Sequence, residues 1–218
     1  MKNIKASDNK YDWVVFAFSY FDIAKLACQE LLDNRENKHS KSESMPNFVY
    51  NPSDLFISIV FNIKHGMEVF IKTLSIFAYG EYDMSHDISD LFEIVQKKLK
   101  KLNIQPLSYN GDNVTQEDID NLPKNLTKIE KSIKYFYTLD FLKKKIASYY
   151  MVSDTMNDIF RYPDNAASVR FNWDSILDNN IDVHDIKEIF KKLLELHDLF
   201  SRHGYIFSVI DAYSTKDM

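Results

Sequence analysis

A small set of polar side chains that could do chemistry falls within one stretch of the chain. Glu68 and Lys72 are four residues apart, and His65 precedes Glu68 by three, so a helix here carries all three on one face. His86 and Asp87 follow at the start of a further helical pattern. If the two helices fold back through a short connection, these five residues form a polar cluster at one end of a bundle, where histidine could transfer protons.

The same residues also have a purely structural interpretation. His86 and Asp87 could simply cap a helix, and Glu68 with Lys72 could be an ordinary intrahelical ion pair. A metal site is not indicated, because no His-Glu-x-x-His pattern occurs and the two Glu-x-x-His motifs of a di-iron site are not present. His184 and Glu188 are four apart, but two ligands on one helix make a poor site. We therefore predict no metal and no cofactor.

The elements that must position these residues are helices, because apolar side chains recur at three- and four-residue steps along most of the chain. Ser85 is predicted to cap a helix that ends in the lysines at 97–101, and Thr115 and Asp182 are predicted to cap two later helices. Gly80 is a natural stop for the helix before it. The predicted long helices span 10–34, 51–79, 124–150 and 182–213, with short ones at 115–123 and 154–160; loops are predicted at 35–51, 106–113 and 163–180.

Composition supports this architecture. The chain has only 4 glycines and 5 prolines in 218 residues, whereas glycine usually makes up about 7%. So few turn-forming residues argue against β-rich folds, Rossmann folds and phosphate-binding loops. We predict an all-α, up-and-down helical bundle of four long helices with short accessory helices, forming a single domain over residues 1–218.

Charge and cysteine content narrow the class of protein. The net charge is −5, from 27 basic and 32 acidic side chains, which argues against a general nucleic-acid coat protein. Cys28 is the only cysteine, so no disulfide forms within the chain, and its apolar helical surroundings predict a buried thiol. No apolar run is long enough to span a bilayer. We predict a cytoplasmic protein that does not enter the membrane.

These motifs resemble the HEPN family, helical-bundle domains of prokaryotic defence and toxin–antitoxin systems. Members show a helix with Glu and Lys four residues apart, a glycine near its end, a Ser/Thr-His-Asp start to the next helix and, in several large members, an Arg-Tyr-Pro segment. The matching positions are Glu68, Lys72, Gly80, Ser85, His86, Asp87, Ile88, Leu91, Arg161, Tyr162 and Pro163. The resemblance implies a helical bundle, a homodimer, and binding residues Glu68, Lys72, Asp87 and Tyr162.

The family's catalytic signature is an arginine followed, after four to six residues, by a histidine, and this sequence departs from it. Arg161 has no histidine after it at that spacing, Arg35 and His39 have only three residues between them, and Arg202 is directly followed by a histidine. In family nucleases the pair cuts RNA without a metal, with histidine moving protons and arginine stabilising phosphate charge. A nonstandard pair would have to combine Arg161 with His65 or His86.

Three functions follow from these patterns. The first is a non-catalytic HEPN-like binding or regulatory module, with RNA, a nucleotide or a protein as its partner. The second is a metal-independent endoribonuclease or nucleotide-transferring enzyme that uses Arg161 with His65 or His86. The third is a purely structural protein-interaction bundle without a small-ligand site.

Overall fold

The structure is a computed structural model, and it describes residues 3–5, 10–36, 52–137 and 182–214. Several predicted features lie outside these ranges. They are the loop after residue 36, the part of the helix predicted at 124–150 that follows residue 137, the helix at 154–160 and the irregular segment at 163–180. Arg161, Tyr162 and Pro163 belong to this part of the chain.

Helices make up most of the described chain, which confirms the predicted all-α bundle. The elements in chain order are β1 (Asn3–Lys5), α1 (Lys10–Glu36), α2 (Pro52–Tyr79), β2 (Glu81–Asp83), α3 (Ile88–Leu99), β3 (Leu107–Tyr109), β4 (Asp112–Val114), α4 (Gln116–Tyr137) and α5 (Val183–Ser214). Four of these helices are long and α3 is short. The strands form two separate antiparallel pairs, β1 with β2 and β3 with β4.

Side-chain contacts define how the long helices run. The start of α1 meets the end of α2 through Tyr11 and Phe77, whose rings are 5.6 Å apart, so these two helices are antiparallel. The start of α1 also meets the end of α5, where Lys10 Nζ lies 2.5 Å from an Asp211 carboxylate oxygen. Late in α4, the Tyr135 ring lies under the ammonium of Lys192 from early α5. Helix α1 thus runs antiparallel to both α2 and α5, and α4 runs antiparallel to α5.

Local chemistry explains where most helices begin and end. Gly80 ends α2 in the left-handed conformation (φ +70°), and its N–H donates to Ile76 O at 2.7 Å. Asp182 and Asp185 each accept a hydrogen bond from the other's backbone N–H at the start of α5. Both ends lie where the sequence predicts them.

The predicted cap of α3 is displaced by two residues. Asp87, rather than Ser85, is the N-cap, and its carboxylate accepts from the N–H groups of Ser89 and Asp90 at 2.9 and 3.2 Å. Ser85 instead accepts from the Asp87 N–H through its hydroxyl, two residues before the N-cap position. A carboxylate outcompetes a hydroxyl here because it is charged and interacts with the helix dipole.

The predicted break at Pro123 does not occur. Thr115 caps α4 as expected, exchanging hydrogen bonds with Asp118, but the helix then continues through Pro123 to Tyr137. Pro123 lies on the exposed face, while Leu122 and Leu126 on either side are buried. Burial of this apolar face holds the helix together despite the missing N–H.

A β-hairpin replaces the loop predicted at 106–113. Tyr109 pairs with Asp112 across a two-residue turn of Asn110 and Gly111, which have φ values of 51° and 91°. Asn-Gly is the preferred pair for such turns, since both positions need positive φ. The hairpin is fastened to α5, because the Tyr205 hydroxyl accepts from Asn113 N–H at 3.0 Å.

One large hydrophobic cluster fills the bundle, and α2 lies at its centre. All positions of α2 from 66 to 77 are buried, because α1, α3, α4 and α5 all pack against this helix. A second, smaller cluster of Val114, Leu122, Ile206 and Val209 lies between the hairpin, α4 and α5. Within the described ranges, no helix combines the length and the apolar character needed to cross a membrane.

Candidate functional site at the junction of α2 and α3

Glu68 is the centre of a buried polar cluster. Its side chain, only 3% exposed, lies in the middle of α2. One carboxylate oxygen, Oε1, is 2.8 Å from Lys72 Nζ and also 2.8 Å from His86 Nδ1. The first contact is the predicted i,i+4 pair; the second joins α2 to the residue before the N-cap of α3. A single carboxylate thus holds both a lysine and a histidine.

Two further predicted residues have different roles. His65 Nδ1 lies 3.9 Å from the other carboxylate oxygen of Glu68, so it is near the cluster. Its imidazole, however, stacks on Phe61 at 5.5 Å and meets the edge of Tyr20 at 4.6 Å, which places it in aromatic packing. Asp87 caps α3. The structure therefore brings together His65, Glu68, Lys72 and His86, and it gives Asp87 the structural role.

The charge state of Glu68 follows from these contacts. Burial alone raises the pKa of this carboxyl group, but the hydrogen bond and positive charge of Lys72, followed by those of His86, outweigh burial and bring the pKa below its ordinary value. Glu68 is thus ionised at neutral pH. An ionised carboxylate that accepts from Nδ1 of His86 fixes that ring's orientation and tautomer.

A cleft of about 200 Å³ adjoins the cluster, between α2, β2 and α3. Its polar lining consists of Lys72, Ser75, Asp83 and Lys98, and its apolar wall comes from α3. Lys98 Nζ lies 3.9 Å from a Glu81 carboxylate oxygen and 4.7 Å above the Tyr79 ring. The cleft therefore presents two ammonium groups, each already facing one carboxylate.

Sequence reasoning missed Ser75 and Asp83, and it did not place Lys98 beside the cluster. Ser75 is three residues after Lys72, on the same helical face, and this spacing could have identified it. Lys98 belongs to a basic run that is typical of a helix end, and only the packing of α3 against α2 reveals that it lines a cleft. Asp83 lies in β2, a strand that the sequence pattern does not predict.

A second buried lysine lies one turn before the cluster. Lys64 is fully buried, and its ammonium is 4.5 Å from the centre of the Tyr137 ring. The Tyr137 hydroxyl donates to the backbone oxygen of Lys64 at 2.6 Å. This hydrogen bond joins the last described residue of α4 to α2. No sequence signal identified this pair, because the contact joins residues 73 positions apart.

The remaining candidates do not extend the cluster. Arg161 and Tyr162 lie outside the described residues. Arg202 is on α5, where its Nε is 3.2 Å from an Asp198 carboxylate oxygen. Among the described residues, no three His, Cys, Asp or Glu side chains come together as metal ligands would.

Comparison with known proteins adds no assignment. No protein-family model, no curated protein and no solved structure matches this chain. The fold and the site together define a helical-bundle protein with a buried carboxylate that binds a lysine and a histidine beside a cleft.

Proposed function

We propose that this chain is a non-catalytic, HEPN-like binding module of a prokaryotic defence or toxin–antitoxin system, with a phosphate-bearing ligand such as single-stranded RNA at the α2–α3 cleft. The family and its setting come from the resemblance in the motifs at Glu68, Lys72, Gly80 and His86, which is an argument by analogy. A homodimer belongs to the same proposal, and its cytoplasmic location rests on the sequence patterns alone.

The non-catalytic part of the proposal rests on the two hydrogen bonds that Glu68 accepts. Its Oε1 takes hydrogen bonds from both Lys72 and His86 at 2.8 Å. Catalysis on a phosphodiester needs cationic groups that are available where charge develops in the transition state. Lys72 instead neutralises a neighbouring carboxylate, and its side chain is 9% exposed. The cluster is therefore better suited to hold α2 against α3 than to stabilise a transition state.

The cleft supports a binding role. Lys98 is 30% exposed at the edge of the cleft, so it can exchange its long contact with Glu81 for a phosphate oxygen. Because Asp83 also lines the cleft and Glu81 faces Lys98, affinity for phosphate should be modest, and it should fall with salt by the small slope of one or two phosphate contacts. Such binding suits a regulatory module better than a general nucleic-acid coat.

A binding experiment with a matched pair of variants tests the proposal. Fluorescence anisotropy of a labelled mixed-sequence single-stranded RNA is measured with the wild type, Lys98→Glu and Lys97→Glu. Lys97 pairs with Glu93 on the exposed face and does not line the cleft. We expect Lys98→Glu to weaken binding about threefold to tenfold, the loss expected for one phosphate contact, with little change for Lys97→Glu. Equal effects of both variants would contradict a site in the cleft.

A second candidate function has one specific observation in its favour. The pair of Glu68 and His86 has the form of a general base, in which a carboxylate orients an imidazole through Nδ1 and leaves Nε2 for proton transfer. The His86 side chain is 47% exposed, so substrate could reach it. Metal-independent RNA cleavage by His86, with Arg161 as the phosphate-binding partner, is therefore the alternative.

Cleavage of the same RNA in the presence of EDTA separates the three functions. The binding module leaves the RNA intact. Cleavage that disappears in both His86→Ala and Arg161→Ala would instead support the enzyme, provided that His184→Ala, which changes an exposed histidine on α5, retains it. If the wild type neither binds nor cleaves RNA, the purely structural bundle is favoured. Light scattering of the purified chain measures the molar mass and tests the homodimer.

A further inference from the structure

A second cleft, unrelated to the polar cluster, lies where the two hydrophobic clusters of the molecule meet. It has a volume of about 240 Å³ and is enclosed by the end of α3, the connection after it, α4 and α5. Leu126 and Phe207 on its wall belong to the main core, and Leu122 belongs to the smaller cluster. Ile104 packs against both. The cleft is thus a seam at which the two clusters do not close on each other.

The lining of this cleft is almost entirely apolar and carries a single charge. Eight of its ten lining residues are apolar, and the other two are Lys100 and Asn103. Lys100 is exposed, and its ammonium contacts the neutral amide oxygen of Gln96 at 3.3 Å. No carboxylate lines the cleft, and none among the described residues forms an ion pair with Lys100. An apolar space with one cation at its edge matches a ligand with an apolar body and an anionic head.

The size of the space sets the length of the apolar body. Liquid water occupies roughly 30 Å³ per molecule, so 240 Å³ holds about eight water-sized groups. A methylene group is of comparable size, which gives a chain of roughly six to eight carbons. The side chains that such a ligand would touch come from both hydrophobic clusters, so its binding would complete the packing at the seam.

We propose that this seam, which we call the α3–α4–α5 cleft, is a binding site for a medium-chain carboxylate, with the chain between Ile104, Ile119, Leu122, Leu126 and Phe207 and the carboxylate at Lys100. Burial of the alkyl chain supplies most of the affinity, and the ammonium of Lys100 selects the head group. The site shares no residue with the cleft at α2 and α3. It therefore does not depend on the proposed RNA-binding function.

Octanoate is the probe for this site, titrated below its micelle-forming range into the full chain with labelled methyl groups. We expect saturable shifts of the Ile104, Ile119, Leu122 and Leu126 methyl resonances, with a Kd on the order of 1 mM for a ligand of about ten heavy atoms. Octylammonium should bind more weakly than octanoate, because its head carries the charge of Lys100. No saturable shift at these methyls up to about 10 mM, or equal affinity for octylammonium, would overturn the proposal.

Two matched pairs of variants keep the test specific. Lys100→Ala should weaken octanoate binding roughly fivefold, as for loss of one partly exposed ion pair, whereas Lys101→Ala, which removes the same charge next to the cleft, should change it less than twofold. Ile119→Trp should fill the cleft and abolish binding, while Leu194→Trp on the exposed surface of α5 should not. Thermal unfolding of each variant verifies that it is folded. Equal effects within either pair would overturn the proposal.

Discussion

At the scale of single residues, Glu68 illustrates how an ion can be kept in the interior of a bundle. A buried charge is costly unless it is paired and hydrogen-bonded. Glu68 meets this condition with two partners, one on its own helix and one at the start of α3. The same contacts that keep the carboxylate ionised also join the two helices.

Replacement of Glu68 by glutamine should therefore destabilise the fold. The variant keeps the shape of the side chain but leaves Lys72 and His86 without an anion, and we expect a loss of about 3 kcal/mol in the free energy of unfolding at pH 7. Urea unfolding measures this loss. Glu93→Gln is the control, because Glu93 makes the same i,i+4 contact to a lysine on the exposed surface and should matter little.

The pH dependence of that loss has a definite sign. The pKa of Glu68 is lower in the folded chain than in the unfolded chain. Its contribution to stability is therefore fully present above the unfolded value of about 4.3 and disappears as the pH falls through the folded value. The difference between wild type and Glu68→Gln should shrink when unfolding is measured near pH 3.5 instead of pH 7. A difference that stays constant or grows would contradict the assigned ion pairs.

Cys28 should be unreactive in the folded chain. It is fully buried, and burial raises the pKa of its thiol to about 12, so almost no thiolate is present at neutral pH. Alkylation by iodoacetamide, followed by mass spectrometry, should be slow in buffer and fast in urea. Rapid labelling of the native protein at pH 7.5 would show that the first helix is not packed as described.

The sequence predicts part of the site at this scale and not the rest. Glu68 and Lys72 could be paired from their spacing, because a helix fixes which residues are neighbours. The contact from His86 to Glu68 depends on how the chain turns between α2 and α3, which spacing does not determine. Residue type alone did not identify the N-cap of α3, because Ser85 and Asp87 are both of types favoured there.

At the scale of elements, the approach of α1 to α2 depends on a residue without a side chain. A Cβ atom at Gly66 would lie 2.9 Å from a ring carbon of Phe21, whereas a Cβ at Gly204 on α5 would be 3.6 Å from Phe70. The first distance is a clash with a buried ring and the second is ordinary contact. Two glycines inside helices therefore have opposite consequences for packing.

Alanine at these two positions should have opposite effects on stability. Gly66→Ala gains helix propensity of about 1 kcal/mol but must displace Phe21, and overpacking of a core costs about 1 to 3 kcal/mol, so we expect a net loss. Gly204→Ala should gain up to about 1 kcal/mol. Thermal and urea unfolding measure both. A stabilised Gly66→Ala would indicate that α1 lies farther from α2.

The end of a helix could be predicted where a local residue such as glycine determines it. It could not be predicted where packing of the helix against its neighbours determines it. Gly80 ends α2 because only its backbone favours the conformation needed there. Pro123 suggested a break that burial of Leu122 and Leu126 overrides. The Asn110-Gly111 turn was a usable hairpin signal, but the scarcity of glycine along the whole chain argued against hairpins. Overall composition is a weak guide to a single local turn.

At the scale of the whole molecule, α2 is the helix around which the others are arranged. Its residues from 66 to 77 are buried on every face, and the polar cluster is built on it. The all-α bundle was predictable because amphipathic helices must bury their apolar faces against one another. The central position of α2 was not, since periodicity indicates which face is apolar and not which helices share it.

Hydrogen exchange should follow this arrangement. We expect amides at 66–77 to exchange only through global unfolding, because every neighbour must leave before they reach solvent. The β3–β4 hairpin, whose turn is exposed, should exchange through local opening and much earlier. Mass spectrometry of peptides from a time course measures both. Exchange of α2 as fast as that of the hairpin would contradict a central helix.

The short pairing of β1 with β2 has a mechanical consequence. Residues 3–5 run antiparallel to residues 81–83, with Asn3 opposite Asp83 and Lys5 opposite Glu81. Residues 81–83 are also part of the connection that presents His86 to Glu68. A pulling force applied on the N-terminal side of residue 3 would act first on these three pairs. The pairs would then transmit the force to that connection. As long as those pairs hold, tension on the first strand would strain the contact between the histidine and the carboxylate.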